Sequence, residues 1–434
     1  MFLIIVNESS SRLEYIFDIL FETILHTQYE VVLKSSISDA LEKYPNASII
    51  NYTNDFTIPA DLSIPNEGLL MERELRKNNP KLIKNDFLRL YFSEKEMNEY
   101  NIDFDLFSAA FYLISEYVFY QESKLDKHDR YDEEAYELYH KRYYSEPVLH
   151  QYAEWIWNYC YALKPNLTRI QNVFQQHITI DIDHPYLYKG KSIGLHIAGF
   201  IKECITLNIT AIASRFKYYR SGTDPFDVFD QIADIKTPLA IFFLLDRHCK
   251  EDGRHTYHSE TYQELIKRFS DHSCTIGIHP SYTAFQSERM IRFEKTQLEF
   301  ISEDVINAAR MHFLKYTLPK TRRSFLKSGI FNDYTSCPIH SWGYKNFMAV
   351  PFSWFDVLNN EKTDLIIYPS MLMDVTLKNY LKLSPVDASI ELSKAIANCK
   401  LHNGVFSIIL HNESLSDYGE WKGWKKVFQG LLNS

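Results

Sequence analysis

The sequence of 434 residues predicts an α/β protein: an imperfect, seven-stranded (β/α) barrel preceded by a smaller α/β N-terminal domain. From His177 onward, short β-branched segments alternate with amphipathic helical segments over about 250 residues, which is typical of parallel sheets and barrels. Before that point, residues 1–51 hold three short apolar strands separated by two helical segments. We therefore assign residues 1–165 to an N-terminal companion domain and residues 170–434 to the barrel.

The predicted barrel is built from repeated strand-then-helix units. Its strands are expected at 177–183, 239–246, 274–279, 309–316, 348–352, 364–369 and 404–411. Helices are expected between most of them, at 192–206, 259–270, 290–305, 321–330, 384–400 and 420–432. Seven strands rather than the eight of a complete barrel favour an imperfect one.

The N-terminal part is also patterned. MFLIIV, YEVVL and ASIIN are predicted strands, and residues 10–25 and SISDALEKY are predicted helices. Residues 105–121 have helical periodicity and are apolar nearly all round, which predicts a buried helix. The charge-dense residues 124–144 predict a solvated helix or connector, and the KTRR run at 320–323 predicts the solvated start of a helix.

Composition limits the classes of partner. A net charge of −9 argues against nucleic acid, since phosphate binding needs a basic surface. The six cysteines contain no CxxC pair, which favours reduced thiols and a cytoplasmic setting. MFLIIV is too short for a signal peptide, and no window is long enough to span a bilayer. We expect a cytoplasmic protein without a transmembrane segment; its oligomeric state stays open.

Reactive side chains stand at the ends of several predicted barrel strands. Because side chains alternate along a strand, Asp181 and Asp183 are expected on one face. The C-terminal ends of barrel strands converge on one mouth, so residues distant in sequence meet there. A single histidine is more often a core or surface residue, but five strands carrying such groups indicate a site. The candidates are Asp181, Asp183, His279, Arg310, His312, Asp374 and His411.

Four motifs in order, TIDID, GIHPSY, RMHFLKY and IILHNES, resemble the polysaccharide deacetylase family. Its members are metal-dependent amide hydrolases that act on N-acetylated sugars. The resemblance covers about residues 170–434 and is closest to a bacterial branch with an N-terminal domain of unknown function. Residues 1–165 resemble that companion, notably around FDLFSAAFYLISEY.

The resemblance implies roles for individual residues. The first aspartate of the opening motif is the general base and the second binds the metal, which are Asp181 and Asp183 here. The second motif supplies a metal ligand, His279. The third supplies Arg310, which pairs with the base, and the last supplies the general acid, His411.

The sequence departs from the family pattern at one ligand. The second motif normally reads HxxxH, but Thr283 stands four residues after His279. His312 could replace the missing histidine, with His184 as a less favoured substitute. The arginine-proline motif is also altered, because Met311 follows Arg310. The implied cofactor is a divalent metal ion, and the ligand set suits zinc.

Asp374 has two interpretations. It could fix the tautomer of His411, as carboxylates beside catalytic histidines do. It could equally cap the helix expected to start at Val375.

The resemblance implies a hydrolase that removes acetyl groups from N-acetylated, or O-acetylated, sugars of a polysaccharide or glycan precursor. The alternative is a catalytically silent carbohydrate-binding or assembly protein on the same scaffold. The absent HxxxH histidine favours the silent protein, whereas Asp181, Arg310 and His411 favour the enzyme. The sugar and the role of residues 1–165 stay open.

Overall fold

The structure is a computed structural model that describes residues 1–84, 88–93, 100–253 and 255–432, without the side chains of residues 141 and 142. Its strands are β1 (Phe2–Val6), β2 (Tyr29–Leu33), β3 (Ser48–Asn51), β4 (Leu62–Ser63), β5 (Lys81–Lys84), β6 (Leu88–Tyr91), β7 (Gln175–Ile182), β8 (Leu239–Phe243), β9 (Thr275–Ile278), β10 (Ala308–Ala309), β11 (Asn332–Asp333), β12 (Phe352–Asp356), β13 (Glu361–Ile367), β14 (Leu372–Met373) and β15 (Val405–His411).

Helices connect most of these strands. They are α1 (Ser11–Phe17), α2 (Ile37–Lys43), α3 (Leu106–Ile114), α4 (Val118–Gln121), α5 (Lys141–Tyr144), α6 (Val148–Leu163), α7 (Ile193–Ile205), α8 (Ile209–Ser221), α9 (Phe229–Ala233), α10 (Glu260–Ser270), α11 (Glu288–Ser302), α12 (Lys320–Lys327), α13 (Pro385–Leu401) and α14 (Lys425–Leu432). A π-helical stretch, Asp18–Ile24, continues α1.

The C-terminal part is built on one large sheet. Within the described residues the strand order is β12-β13-β11-β10-β9-β8-β7-β15-β14, and all neighbours except β12 and β13 run parallel. Strands β8, β7 and β15 are neighbours in this order, and most of their residues are buried, which suits their β-branched and aromatic sequences. The predicted α/β class is confirmed, and closure into a barrel stays a prediction.

Two of the predicted strands differ from the structure. The expected strand at 309–316 contributes only Ala309, because the chain turns at Phe313 and Leu314, where φ is 59° and 55°. The expected strand at 348–352 begins at Phe352 instead. Strands β11 and β14 were not predicted, since two residues give no periodicity. Helix α8 was also missed.

The N-terminal part holds the predicted small α/β unit. Its parallel sheet has the order β2-β1-β3-β4 within the described residues, with β1 central and entirely buried. The predicted helix at 105–121 is buried as expected, although it is divided into α3 and α4.

The charge-dense residues 124–144 are not a solvated helix. They form an irregular connection with short helical turns, and Arg130 and Glu133 within it are buried. Glu133 pairs with the buried Lys345 at 2.9 Å and accepts a hydrogen bond from the Ile339 amide at 3.1 Å. Of the two predicted alternatives, the connector agrees with the structure and the solvated helix was wrong. The burial of Glu133 could not be predicted because its partners lie about 200 positions away.

The KTRR run was also misassigned at Arg322. This side chain is buried and lies 2.7 Å from Glu116 and 3.3 Å from Asp333. Glu116 belongs to the N-terminal part, so the ion pair joins the two parts of the chain. A continuous apolar core also contains buried residues of both parts. No helix in the described ranges combines the length and apolar character needed to cross a bilayer.

Candidate active site

The predicted site residues lie around one cavity at the C-terminal ends of strands of the large sheet, β7 and β15 among them. Strand β7 carries Asp181 near its end, and Asp183 follows the strand. Parallel pairing of β7 with β15 puts His411 directly beside Asp181. The cavity has a volume of about 390 Å³. Its lining includes Asp181, Asp183, His279, His312 and His411.

Asp181 and Arg310 form a buried ion pair on one side of this cavity. Arg310 Nη1 donates to Asp181 Oδ1 at 2.6 Å, and Nη2 donates to Thr179 Oγ1 at 2.8 Å. The guanidinium also donates from Nε to the Tyr334 carbonyl and lies 4.5 Å from the centre of the Phe242 ring. Arg310 is therefore held in one orientation, and it keeps a positive charge beside Asp181.

Asp183 stands among three histidines. Its Oδ1 lies 3.4 Å from His279 Nε2, and its Oδ2 lies 3.4 Å from His312 Nε2 and 3.6 Å from His411 Nε2. Burial alone would raise the pKa of Asp183, but His312, His279 and His411 together hold that pKa well below its usual value. The carboxylate is thus ionised in this setting.

Asp183, His279 and His312 fit a divalent metal ion. One ligand atom from each lies within 4.8 Å of the others. Tetrahedral Zn²⁺ with bonds of about 2.0–2.1 Å separates its ligand atoms by about 3.4 Å, close to the two distances from Asp183. Asp183 Oδ1 is buried and accepts no hydrogen bond, so it has a lone pair available for an ion.

His279 presents the correct nitrogen to this position. Its Nδ1 lies 2.6 Å from the Arg310 carbonyl oxygen, an acceptor, so Nδ1 carries the proton and donates. Nε2 then has a free lone pair directed towards Asp183. Burial lowers the pKa of His279, which favours the neutral ring that metals bind.

His312 reaches the cavity from the turn after β10 rather than from a strand. Its Nδ1 lies 3.1 Å from Asp252 Oδ1, which leaves Nε2 for the side facing Asp183. Burial alone would lower the pKa of His312, but Asp183 and Asp252 raise it to about 9. The left-handed conformations of Phe313 and Leu314 turn the chain after His312, and both residues line the cavity.

Asp252 was not predicted from the sequence. It lies in the loop after β8, and its carboxylate accepts hydrogen bonds from the backbone amides of Tyr282, His248 and Cys249. The next residue, Gly253, packs against the Asp183 carbonyl: an added Cβ would stand 2.1 Å from that oxygen. The loop therefore supports His312 and Asp183 together. The only signal for Asp252 in the sequence is that it precedes a glycine, which predicts a turn but does not predict a hydrogen bond to His312.

Asp374 contacts His411 through both carboxylate oxygens. Oδ1 lies 2.9 Å from His411 Nδ1, and Oδ2 accepts a hydrogen bond from the His411 amide at 2.7 Å. Asp374 Oδ1 also accepts from the adjacent Val375 amide, but a capping side chain bonds an amide two or three residues further on, and the helical turn here has no side-chain cap. The contacts of Asp374 therefore agree with the interpretation as a partner of His411 and not with the capping interpretation. Burial alone would lower the pKa of His411, but Asp374 and the nearby aspartates raise it well above its usual value.

Two other candidates lie apart from the ligand cluster. His184 is on the cavity wall, but its Nδ1 lies 2.9 Å from Glu413. Thr283, at the position of the missing motif histidine, is exposed on a turn. A separate group, Asp132, Glu134 and His340, also has ligand atoms within 4.8 Å of one another, and Glu134 within it is exposed.

Comparison with known proteins gives one family match and several similar solved structures. Residues 2–165 match a family described as "Family of unknown function (DUF7033)", in agreement with the expected companion of unknown function. No curated protein matches the chain.

Three solved structures are similar to part of this chain. A "probable Polysaccharide deacetylase" from Pseudomonas aeruginosa PAO1 has 12% identity and a TM-score of 0.39, covering 61% of this chain and 86% of its own. Puue allantoinase has 13% identity and a TM-score of 0.38, covering 61% and 85%. A polysaccharide deacetylase from Bacillus cereus has 10% identity and a TM-score of 0.26, covering 60% and 87%.

Proposed function

We propose that this protein is a metal-dependent hydrolase that removes acetyl groups from N-acetylated, or O-acetylated, sugars of a polysaccharide or glycan precursor. The observation that supports the proposal is the meeting of three groups at one cavity. These are a carboxylate held by a guanidinium, an acid with two imidazoles at ligand spacing, and an imidazole backed by a carboxylate. Together they provide a base, a metal site and an acid for amide hydrolysis.

Asp183, His279 and His312 would hold the metal ion, which we propose to be Zn²⁺. An acid and two imidazoles suit zinc and leave coordination positions open for water and substrate. Because Asp183 and Asp252 raise the pKa of His312 to about 9, His312 would release a proton when the ion binds. Bound in this site, the ion would polarise the acetyl carbonyl group and make water more acidic. The contribution of the protein is to hold the three ligands in place through Asp252 and the Arg310 carbonyl.

Asp181 would be the general base. Its Oδ1 is occupied by Arg310, and its Oδ2 lies 3.9 Å from His279 Nε2, at the border of the ligand cluster. An adjacent guanidinium favours the charged carboxylate. An ionised Asp181 can accept the proton of a water molecule that attacks the acetyl carbon.

His411 would be the general acid. Asp374 takes the Nδ1 side of its ring, so Nε2 faces the cavity, 3.6 Å from Asp183 Oδ2. A protonated imidazole in this position can donate from Nε2 to the nitrogen, or ester oxygen, that leaves the acetyl group. Asp374 holds the ring orientation and stabilises its positive charge.

The rest of the cavity suits a sugar. Tyr380 and Trp421 contribute aromatic surface, and Glu413 and Glu420 contribute carboxylates that can accept hydrogen bonds from hydroxyl groups. A volume of about 390 Å³ lies within the usual range for small-molecule sites.

The experiment measures acetate released from N-acetylglucosamine oligomers and from O-acetylated glycans, with zinc, cobalt or nickel supplied. Asp181→Asn and His411→Ala should lose about 10²–10⁴-fold in rate, as expected for a general base or acid. Exposed Asp364 and His258 provide the matched controls Asp364→Asn and His258→Ala, which should keep the parent rate.

A variant at Asp181 or His411 that retains near-parent turnover contradicts the role given to that residue. A metal-loaded parent that releases no acetate from any of these substrates contradicts the enzymatic proposal. The silent carbohydrate-binding protein then becomes the better description.

A further inference from the structure

Helices α7 and α8 form a hairpin, residues 193–221, in the connection between strands β7 and β8. The two helices pack side by side: Arg215 binds Glu203 at 2.5 Å, and the rings of Phe200 and Phe216 meet at 6.2 Å. The connection starts after Asp183 and returns at Asp224, whose carboxylate accepts three backbone amide hydrogen bonds from residues 187–189. The base of the hairpin is therefore fixed beside the candidate active site.

The apolar side chains of this hairpin are not covered by the protein. No residue of α7 is buried, and Arg215 is the single buried residue of α8. Ile193, Ile197, Ile201 and Ile205 recur every four residues and are all exposed, so they form one apolar stripe along α7. A contiguous apolar surface of this kind normally marks a binding surface.

The tip of the hairpin is its most apolar exposed part. Ile205, Leu207 and Ile209 have 76%, 81% and 77% of their surface exposed. Between the helices lies an apolar depression of about 320 Å³. It is lined by His196, Ile197, Phe200, Arg215, Phe216 and Tyr219.

The charge of the hairpin is opposite to that of the chain. Residues 193–221 contain four lysine or arginine residues and one acid, a net charge of +3, whereas the whole chain carries −9. The single acid, Glu203, is already paired with Arg215. Lys202, Lys217 and Arg220 are exposed, so the apolar surface is flanked by cationic groups.

We propose that the α7–α8 hairpin docks on the surface of an anionic lipid bilayer. Its apolar tip and the isoleucine stripe would enter the boundary between headgroups and acyl chains, and its cationic side chains would face lipid phosphates. Amphipathic helices with basic and apolar faces bind membranes in this way, and each Lys or Arg near an anionic surface strengthens binding.

Charge also decides between occupants of this surface. A second copy of the chain would bring two cationic hairpins together if it used the same surface, and like charges repel. Nucleic acid would satisfy the charges but not the isoleucine and leucine side chains at the tip. An anionic bilayer satisfies both. The proposal concerns binding alone and does not depend on the proposed hydrolase activity.

The test is co-sedimentation of the full chain with vesicles of phosphatidylcholine, alone or mixed with phosphatidylglycerol. The parent should bind the anionic vesicles and detach as salt is raised, because exposed charges are screened. Lys202→Glu/Lys217→Glu should bind at least about tenfold more weakly, from the contribution of each basic residue near an anionic surface. The Leu207→Ser/Ile209→Ser variant should also bind the anionic vesicles more weakly than the parent.

Matched controls use exposed residues elsewhere. Lys43→Glu/Lys81→Glu and Phe300→Ser/Val305→Ser should bind anionic vesicles like the parent. The proposal is overturned if the parent does not sediment with anionic vesicles, or if the hairpin variants sediment like the parent. It is equally overturned if sedimentation velocity shows a dimer that the Leu207→Ser/Ile209→Ser variant loses while vesicle binding stays the same.

Discussion

Replacing His312 by alanine is the sharpest test of the proposed metal site. His312 comes from outside the usual second motif, and its Nε2 lies 3.4 Å from Asp183 Oδ2. Removing the imidazole leaves Asp183 and His279 as the remaining protein ligands of the proposed set. It also leaves Asp252 without the ring to which it is hydrogen-bonded. We expect the His312→Ala variant to fold and to bind metal much more weakly.

The size of the loss follows from the number of ligands. Structural zinc sites with four ligands bind with about 10–16 kcal/mol, or about 2.5–4 kcal/mol for each ligand. Loss of one ligand should therefore weaken zinc binding by about 10²–10³-fold, since each 1.4 kcal/mol is about a factor of ten. His184→Ala is the matched control, because His184 lines the same cavity but contacts Glu413. It should bind zinc within about threefold of the parent, a free-energy change of about 0.65 kcal/mol.

The assay is competition with a chromophoric chelator, with circular dichroism as the check on folding. The double variant His312→Ala/Thr283→His adds a second check. It rebuilds the usual HxxxH spacing, but Thr283 is exposed on a turn, so affinity should not return. Equal zinc affinity of the parent and His312→Ala would refute the assignment of His312. Recovery in the double variant would show that the motif position, rather than His312, is the natural third ligand.

Two further predictions concern support of the site and stability. Gly253→Ala should weaken zinc binding about 10–100-fold, because its Cβ would force the Asp183 carbonyl to move; Gly430→Ala, with open space around it, should leave affinity unchanged. Unchanged affinity in Gly253→Ala would contradict that role. Burial lowers the pKa of His150 to about 3, and its Nε2 accepts a hydrogen bond from the Ala349 amide. Between about pH 6.5 and pH 3 the unfolded chain binds a proton at this histidine that the folded chain does not bind. The free energy of unfolding should therefore decrease as pH is lowered through this range, by up to about 1.4 kcal/mol per pH unit. Urea unfolding of His150→Gln should show a correspondingly shallower pH dependence, and parallel pH profiles would contradict it.

Much of the fold could be predicted because its strands carry their own pattern. The β-branched run ending in Asp181 and Asp183 predicted strand β7, and the alternation of strands and helices predicted the α/β class. Strand β10 and its continuation were mispredicted because RMHFLKY has apolar alternation. The left-handed conformations at Phe313 and Leu314 depend on packing, which local sequence does not encode.

The candidate site was predictable where residues end strands, and not where loops supply them. His411 and Asp181 lie on paired strands, so their proximity follows from the sheet. Asp252 lies 60 positions from His312 in a loop without periodicity, and the contact between them depends on tertiary structure. The burial of Arg322 was not predicted from the charged KTRR run for the same reason. It depends on an ion pair with Glu116, whose position cannot be inferred from neighbouring residues.

The buried ion pairs between the two parts of the chain have a consequence for how the sequence can evolve. Glu116 with Arg322, and Glu133 with Lys345, are opposite charges whose partners lie on different sides of the boundary near residue 165. A buried charge that loses its partner costs about 3–5 kcal/mol, a large part of the stability of a typical domain. If the N-terminal part were exchanged for one that lacks these acids, Arg322 and Lys345 would be buried without an oppositely charged partner. Substitutions at these acids in one part are therefore expected to be accompanied by substitutions at Arg322 and Lys345 in the other, so that the two parts coevolve.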